Sequence, residues 1–369
     1  MKKQSNRSKE PGVGKVVMDD IRTSDFRSTF SKEWLEIKEF FLTDQQRDEL
    51  ESMGRFKRFF VTIGWLMKSL FMKLAPMNRI LLILALIFLI AESNSSDGNN
   101  NGSSKGLDIL AAVIFIFIIM LELKDKLLAK TELKAGRSVQ KALIPEGDPN
   151  IPGWSAWLFT RPANDVGGDL VDYLRIDDNR YGIVLADVVG KGLPAALLMA
   201  KLQATWRAVA TDFNNVADLG SKINRIFHRD TMAKSFASMA YLEIHTDSSN
   251  IKVLNAGHLP PIVIRKDQTT ELPKGGPAIG LTSISKYEEI EIDIQKNDMV
   301  LIFSDGLTEA RNESGMFYGK ENLLNLVEKL KELPVTRFGE RLVEEIDNFT
   351  GEAKTHDDLS IILIKRTSE

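Results

Sequence analysis

Two unbroken apolar runs stand out in the first third of the chain, Ile80–Ala91 and Ile109–Leu121, and a loop rich in Ser, Asn and Gly separates them. With the neighbouring charged residues at the interfaces, Leu74–Glu92 and Leu107–Leu123 reach the length that crosses a bilayer. Lysine and arginine crowd both outer flanks, so the positive-inside rule places both flanks in the cytoplasm. The pattern predicts a transmembrane helical hairpin over residues 74–123 in the cell (inner) membrane.

The residues before this hairpin, 1–73, are expected to form a polar tail followed by amphipathic helices. The first helix is predicted over Ser31–Met53. The second, Arg55–Lys73, mixes basic residues with phenylalanine, tryptophan and leucine, which is typical of a helix lying in a membrane interface. A soluble helix that binds a partner would carry the same pattern, so both interpretations stay open.

A linker or signalling helix is expected over residues 124–150. Around it, apolar residues recur every seven positions, which is the spacing of a short dimeric coiled coil and would allow a homodimer through this helix. These residues are Leu121, Leu128, Ala135 and Ala142. Proline and glycine then interrupt the chain between Pro145 and Gly153, so the next domain is predicted to cover residues 151–369.

The pattern of apolar positions in residues 151–369 alternates between strand-like and helix-like runs. Most strand-like runs come in consecutive pairs and the helix-like runs form two clusters. This favours an α+β fold of antiparallel sheets with helices packed outside over a doubly wound parallel sheet. The predicted strands are Gly168–Ile176, Tyr181–Asp187, Phe236–His245, Ile251–Asn255, Pro261–Arg265, Glu288–Ile294, Met299–Ser304 and Leu359–Ile364, and the predicted helices are Pro194–Ala210, Val216–Arg229, Lys320–Leu330 and Thr336–Asn348.

Composition narrows the chemistry that this domain can perform. The 369-residue chain has no cysteine, which excludes disulfides, thiolate metal sites and cysteine-based phosphatases. Its net charge of −3 gives no indication of nucleic-acid binding. With four histidines scattered along the chain, a metal site would have to use carboxylates, which are ligands of hard cations such as Mg²⁺ and Mn²⁺.

Aspartate stands beside glycine or another aspartate at the ends of four predicted strands. In the first two strands, a hairpin folded about Asp178–Asn179 would pair Asp169 with Val188 and place Asp187 one position away. Both carboxylates would then lie at the open end of the hairpin.

The other two strands carry aspartates in the same way. Asp305 ends one buried apolar run, and Asp357 and Asp358 precede another. If these strands are antiparallel neighbours, their carboxylates also meet at one end. Any single Asp–Gly pair is explained well by an ordinary turn, but four such strand ends together predict a carboxylate site for two metal ions that activate water against phosphorus.

The chain resembles the bacterial metal-dependent protein phosphatases of the PPM (type two C) superfamily, and more closely the group similar to sporulation stage II protein E (SpoIIE). The resemblance covers about Glu132–Arg366 and rests on GGDLVDY, LADVVGKGLPAAL, NAGHLPP, LIFSDGLTEA and HDDLSIILI, in the family's order and spacing. It implies an α-β-β-α sandwich with two Mn²⁺ or Mg²⁺ ions between the sheets. It also implies hydrolysis of phosphoserine or phosphothreonine in a phosphorylated protein, often an anti-sigma-factor antagonist of a partner-switching pathway.

The resemblance assigns roles to the aspartates. Asp187 would bridge both metal ions, and the backbone carbonyl of Val188 would reach one of them. Asp305 and Asp357 would complete one metal site, and Asp169 would ligate the other. The residues expected to be catalytic are therefore Asp169, Asp187 and Asp305.

Several positions depart from the family pattern or leave a choice open. Asp358 is the second choice of ligand, because Asp357 matches the first position of the family's acidic pair. Many eukaryotic relatives carry DGHGG where this chain has DVVGKG, so the histidine that could protonate the leaving group is absent and a metal-bound water is the default donor. Arg161 is a weak candidate for phosphate binding. His258 would be either a structural hydrogen-bonding residue or a catalytic one.

The predicted function is that of a membrane-anchored, Mn²⁺- or Mg²⁺-dependent serine/threonine protein phosphatase with its catalytic domain in the cytoplasm. The alternative is a catalytically inactive relative that acts as a membrane-tethered scaffold. The full set of aspartates favours the enzyme, since a scaffold has no need to hold repelling carboxylates together.

Overall fold

The computed structural model of the protein describes residues 46, 49, 50, 53–95, 104–232 and 234–368. The chain divides into two compact units, Met1–Lys126 and Leu127–Glu369. The predicted polar tail lies outside the described residues, and so does nearly all of the predicted helix Ser31–Met53.

The first unit contains helices at the predicted positions. Helix α1 (Arg55–Lys73) has the predicted bounds, and α2 (Pro76–Ser95) contains the first apolar run. Helix α3 (Ser104–Leu143) contains the second apolar run and most of the linker segment. Within this unit the side-chain amide of Asn78 donates a hydrogen bond to Oε1 of Glu122, at 2.9 Å.

The predicted transmembrane hairpin is not supported. None of the helices in the described part of the chain is both long enough and apolar enough to cross a membrane. In α2 the unbroken apolar run is confined to Ile80–Ala91, because the turns on either side contain Arg79 and Glu92.

The second unit contains two five-stranded antiparallel sheets. Its described strands are β1 (Trp154–Arg161), β2 (Asp169–Arg175), β3 (Arg180–Val188), β4 (Ala237–His245), β5 (Asn250–Ala256), β6 (Ile262–Ile264), β7 (Thr269–Glu271), β8 (Ile290–Asp293), β9 (Met299–Phe303) and β10 (Leu359–Arg366). The strand order is β1-β10-β9-β6-β7 in the first sheet and β2-β3-β4-β5-β8 in the second. Neighbouring strands are antiparallel throughout.

Helices cover the outer faces of both sheets. They are α4 (Leu193–Val209), α5 (Val216–Asp230), α6 (Asp305–Thr308), α7 (Gly319–Leu330) and α8 (Val335–Thr350), with a 3₁₀ turn at Ala210–Asp212. Helices α4 and α5 pack on the second sheet around Trp206 and Phe227, and α7 and α8 pack on the first sheet around Phe338. A third core, which includes Leu185 and Ile302, lies between the sheets. The predicted α-β-β-α sandwich is confirmed.

Unbroken apolar runs, whose side chains point to the two faces in turn, explain why both faces of each central strand are buried. In β3, Ile183 and Leu185 face the other sheet, whereas Val184 and Ala186 face the helices. All four are fully buried, and burying a Val, Leu or Ile side chain contributes about 1.5–3 kcal/mol to folding. The rigid centre of the sandwich therefore fixes the strand ends on which the aspartates stand.

The predicted strands and helices of this unit agree with the structure to within two residues at each end. The expected antiparallel pairing of β9 with β10 is confirmed, with Ile361 opposite Phe303. The sequence analysis missed strands β1 and β7. Strand β1 pairs along its whole length with β10, from the far end of the unit.

The β2–β3 hairpin differs by one residue from the predicted register. Asp169 pairs with Asp187 itself rather than with the residue after it. The turn explains the difference, because Oδ1 of Asp177 accepts hydrogen bonds from the backbone N–H groups of Asn179 and Arg180, both at 2.9 Å. This side-chain-closed turn shifts the centre of the hairpin and brings the two aspartates directly opposite each other.

Candidate active site

All five predicted aspartates lie at the same end of the sandwich. Asp169 begins β2 and faces Asp187 of β3 in the second sheet. Asp305 follows β9, and Asp357 and Asp358 precede β10, in the first sheet. The negative charges of Asp305, Asp357 and Asp358 all act on Asp187, so the structure brings the four strand ends together.

Asp169 is the most deeply buried of the five aspartates. Its side chain is 5% exposed, and its Oδ2 atom has no hydrogen-bond partner among the described residues. Burial raises the pKa of this carboxyl well above its usual range, and the negative charge of Asp187 raises it further. A buried carboxylate oxygen without a partner is costly unless a cation or proton completes it.

The ionised forms of Asp187 and Asp305 are also destabilised. Burial raises the pKa of Asp187 from 3.8 to about 7, and the charges of Asp305 and Asp357 add to the effect. Burial raises the pKa of Asp305 too, with Asp357 and Glu309 as further causes. Each of these groups would be stabilised by a cation placed between them.

Asp358 has a different environment from its neighbour Asp357. Its Oδ1 atom accepts from the backbone N–H of Ala163 at 2.8 Å, and its Oδ2 atom accepts from Gly168 at 2.6 Å and Asp169 at 3.2 Å. Both oxygens are therefore engaged by the loop that leads into β2. Asp358 positions Asp169 across the gap between the sheets, which agrees with the preference for Asp357 as the ligand.

A pair of buried serines holds Asp305 next to the start of β10. Ser304 and Ser360 are fully buried; the Ser304 hydroxyl donates to the carbonyl oxygen of Asp358 and accepts from the backbone N–H of Ser360, each at 3.0 Å. A side chain at Gly306 would overlap the carbonyl oxygen of Asp358. Only glycine at that position allows so close an approach of the two strand ends.

The donor atoms fit a hard cation in chemistry but not in spacing. Mg²⁺ and Mn²⁺ prefer carboxylate oxygens, and here an unpartnered oxygen of Asp169 lies in a cluster of carboxyls with raised pKa values. However, no three acidic or histidine side chains in the part of the chain that the structure describes converge closely enough to hold an ion as they stand.

A cleft of about 480 Å³ lies beside Asp187 and Asp305, and His258 lines its wall. The backbone of His258 is fixed by Asn255, whose side chain accepts from the His258 N–H at 2.8 Å and donates to its carbonyl oxygen at 3.1 Å. Its Nδ1 atom lies 2.8 Å from the Ser238 hydroxyl. Burial lowers the pKa of His258 to about 4, so the ring is neutral at neutral pH, as suits a structural residue.

Arg161, at the end of β1, lines a small pocket together with Gly306 and Asp357. Its guanidinium forms two hydrogen bonds with the carboxylate of Asp347 on α8, one of them at 3.0 Å. The ring of Phe159 also lies 5.8 Å from the guanidinium carbon. Phosphate binding by Arg161 therefore stays a prediction.

A family comparison identifies the chain. The model of the family described as stage II sporulation protein E (SpoIIE) matches residues 177–367. That stretch is more than half of the chain and contains Asp187, Asp305 and Asp357. The chain belongs to the SpoIIE family. Asp169 lies before the matched stretch, and the β2–β3 pairing brings it to the same site.

Two curated proteins of Bacillus subtilis are similar to this SpoIIE-family chain. Phosphoserine phosphatase RsbU is 26% identical over 239 residues, which are 64% of this chain and 70% of RsbU. Phosphoserine phosphatase RsbP is 24% identical over 245 residues, which are 65% of this chain and 59% of RsbP. The cyanobacterial protein IcfG of Synechocystis is 25% identical, and the match covers 43% of its length.

Solved structures show the same fold for this part of the chain. The SiaA-PP2C domain of Pseudomonas aeruginosa has a TM-score of 0.57 at 18% identity, covering 65% of this chain and 98% of that domain. The RsbU and RsbW domains of Rv1364c from Mycobacterium tuberculosis give a TM-score of 0.55 at 22% identity, covering 61% and 63%. The SpoIIE-family unit therefore has a PP2C fold.

Two residues near the aspartates were missed by the sequence analysis. Gln140, near the end of α3, exchanges hydrogen bonds with the backbone of Gly167. Lys191, in the loop after β3, forms an ion pair with Asp357. Lys191 could have been found from its position between two glycines just after Asp187, whereas nothing in the local sequence marks Gln140.

Proposed function

We propose that the protein is a metal-dependent phosphatase that hydrolyses phosphoserine or phosphothreonine in a protein substrate. The observation that carries the proposal is that five aspartates from four strand ends lie at one end of the sandwich, with Asp169 directly opposite Asp187. Membership of the SpoIIE family and similarity to two phosphoserine phosphatases support the same activity.

In this proposal, the aspartates together bind two Mn²⁺ or Mg²⁺ ions. Asp187 would bridge the pair with help from the backbone carbonyl of Val188, Asp305 and Asp357 would serve one ion, and Asp169 the other. Such ions, when bound, activate a water molecule and neutralise phosphate oxygens. The metal requirement is supported by the raised pKa values of Asp169, Asp187 and Asp305, because a bound cation would stabilise the ionised form of each carboxyl.

The chain's own residues would keep the ligands in place and admit the substrate. Asp358 ties the loop before Asp169 to the start of β10, so ligands from different sheets keep their spacing. The cleft beside Asp187 and Asp305 offers room for a phosphorylated side chain and the residues around it. Exposed Lys274 and Glu309 on its walls would meet that substrate.

The substrate we propose is a phosphorylated anti-sigma-factor antagonist of a partner-switching pathway. The support is the similarity to RsbU and RsbP and to the solved RsbU and RsbW domains of Rv1364c. Dimerisation through α3, attachment to a membrane and a cytoplasmic location of the catalytic domain stay predictions from the sequence.

The test is hydrolysis of p-nitrophenyl phosphate and of a phosphoserine protein by the full-length chain, with Mn²⁺, with Mg²⁺ and with EDTA. We expect hydrolysis that requires the metal and that Asp187→Asn reduces by at least about a hundredfold, since it removes the ligand shared by both ions. Asp267→Asn, an exposed aspartate in the β6–β7 turn, is the matched control and should retain activity. A folded wild-type protein that hydrolyses neither substrate would favour the inactive scaffold instead.

A further inference from the structure

The loop between β3 and α4 places a lysine against the acidic cluster. Nζ of Lys191 lies 3.0 Å from Oδ2 of Asp357 and also donates a hydrogen bond to the carbonyl oxygen of His356. The loop can present the side chain in this way because Gly190 and Gly192, on either side, adopt φ angles of 104° and 70°. The ammonium is therefore held at the start of β10, although the side chain is more than half exposed.

The charge of Lys191 acts on more than its ion-pair partner. It lowers the pKa of Asp187 and of Asp305, against the larger effects that raise them. Three of the four aspartates assigned as metal ligands are thus within electrostatic reach of this one ammonium. The ammonium is positively charged, as a metal ion would be, and it interacts with some of the same aspartates that would bind the metal.

This contact occupies an oxygen of an aspartate that is assigned as a metal ligand. Of the two aspartates that precede β10, Asp357 is the more available as a ligand, since both oxygens of Asp358 already accept backbone hydrogen bonds. Yet Oδ2 of Asp357 is turned to Lys191, and its Oδ1 accepts from the Asp358 N–H at 3.0 Å. An ammonium bonded to Oδ2 of Asp357 repels a cation placed beside it, so the ion pair opposes metal binding at this carboxylate.

We propose that Lys191 is a built-in counter-ion that competes with the metal for Asp357 and so sets how tightly the enzyme binds its metal. The inference rests on the proposed function, because it takes Asp357 as a metal ligand. With a side chain 57% exposed, Lys191 can swing into solvent without losing a buried environment. Binding of a metal ion at Asp357 would then displace the Lys191 ammonium.

The first test is calorimetric titration of the full-length protein with Mn²⁺. We expect Lys191→Met to bind Mn²⁺ about three- to tenfold more tightly than wild type, because a competing ion pair is gone, and Lys191→Arg to bind close to wild type. Lys222→Met is the matched control, since it removes an exposed lysine on α5, outside the cleft. Unchanged or weaker binding by Lys191→Met, or equal tightening by Lys222→Met, would overturn the proposal.

Thermal unfolding separates a competitor from an ordinary structural ion pair. Without metal, in EDTA, Lys191→Met should lower Tm, because the clustered carboxylates lose their counter-ion. With saturating Mn²⁺ the difference from wild type should disappear. An equal loss under both conditions would assign Lys191 a purely structural role. If wild type itself binds no Mn²⁺ and hydrolyses nothing, the proposed function fails; if only the Lys191 variants behave like wild type, this inference alone fails.

Discussion

Gln140 and Gly167 are joined by a reciprocal pair of hydrogen bonds. The side-chain amide of Gln140 donates to the carbonyl oxygen of Gly167 at 2.7 Å, and the Gly167 N–H donates to Oε1 of Gln140 at 3.1 Å. Gln140 is 6% exposed, so the pair is shielded from water. The next N–H along, that of Gly168, is held by Asp358. Helix α3 therefore helps to fix the backbone that delivers Asp169.

Replacing Gln140 by alanine should loosen this backbone. Two buried polar groups of Gly167 would lose their partners, at a cost of about 2 kcal/mol in the free energy of unfolding. We expect kcat to fall about tenfold with Mn²⁺ present, because Asp169 is no longer held in place. Lys141→Ala, at the exposed neighbouring position, is the control. A lower Tm with full kcat would limit Gln140 to a structural role.

Asp187→Asn should stabilise the metal-free protein while abolishing its response to metal. The raised pKa of Asp187 means that the folded state binds its proton more tightly than the unfolded chain, so in EDTA the stability falls as pH rises from about 4 to 7. At pH 8, removing this charge should add about 1–2 kcal/mol after allowing for screening, or about 2–8 °C in Tm. Differential scanning calorimetry with and without Mn²⁺ measures both effects. A destabilised Asp187→Asn protein would contradict the repulsion argument.

Binding of Mn²⁺ should weaken as pH falls below about 7. The pKa of Asp187 is raised to about 7, and that of Asp169 lies well above its usual range, so both carry protons that a metal must displace. We expect the apparent Kd to rise at least about tenfold between pH 7.5 and 6, measured by titration in non-chelating buffers. Binding that is the same across this range would show that neither carboxyl is a ligand.

Substitutions at Asp357 and Asp358 should have separable effects. Asp358→Asn weakens charge-assisted bonds to three backbone N–H groups, so we expect a loss of about 1.5–3 kcal/mol in stability and a lower Tm in EDTA. Asp357→Asn should leave the free energy of unfolding in EDTA within about 0.5 kcal/mol of wild type and weaken Mn²⁺ binding. The opposite pattern would mean that Asp358 is the ligand and Asp357 the positioning residue.

The sequence could predict features that depend on local patterns. The buried run Val300–Phe303 identified β9, and the glycines and aspartates at strand ends identified the site. The register of the β2–β3 hairpin was predicted wrongly, because the side chain of Asp177 closes the turn in a way that alternation of apolar residues does not reveal.

Features that depend on distant segments could not be predicted. Strand β1 has apolar residues on both faces, Ala156 toward the other sheet and Trp157 toward the helices, so it lacks the alternation that marks a half-buried strand. Its partner β10 lies about two hundred positions later. Lys191 and Asp357 are likewise joined only by the tertiary fold, so neither residue by itself indicates the ion pair.

The position of β10 has a consequence for biosynthesis. It comes after every other described strand in the chain, yet it lies between β1 and β9 in the first sheet. Until the ribosome has released residues 357–366, β1 has no neighbour to pair with, and Asp305 lacks Asp357 and Asp358. A nascent chain would therefore lack the complete aspartate cluster until β10 has emerged from the ribosome, so the proposed active site would assemble only after residues 357–366 are made.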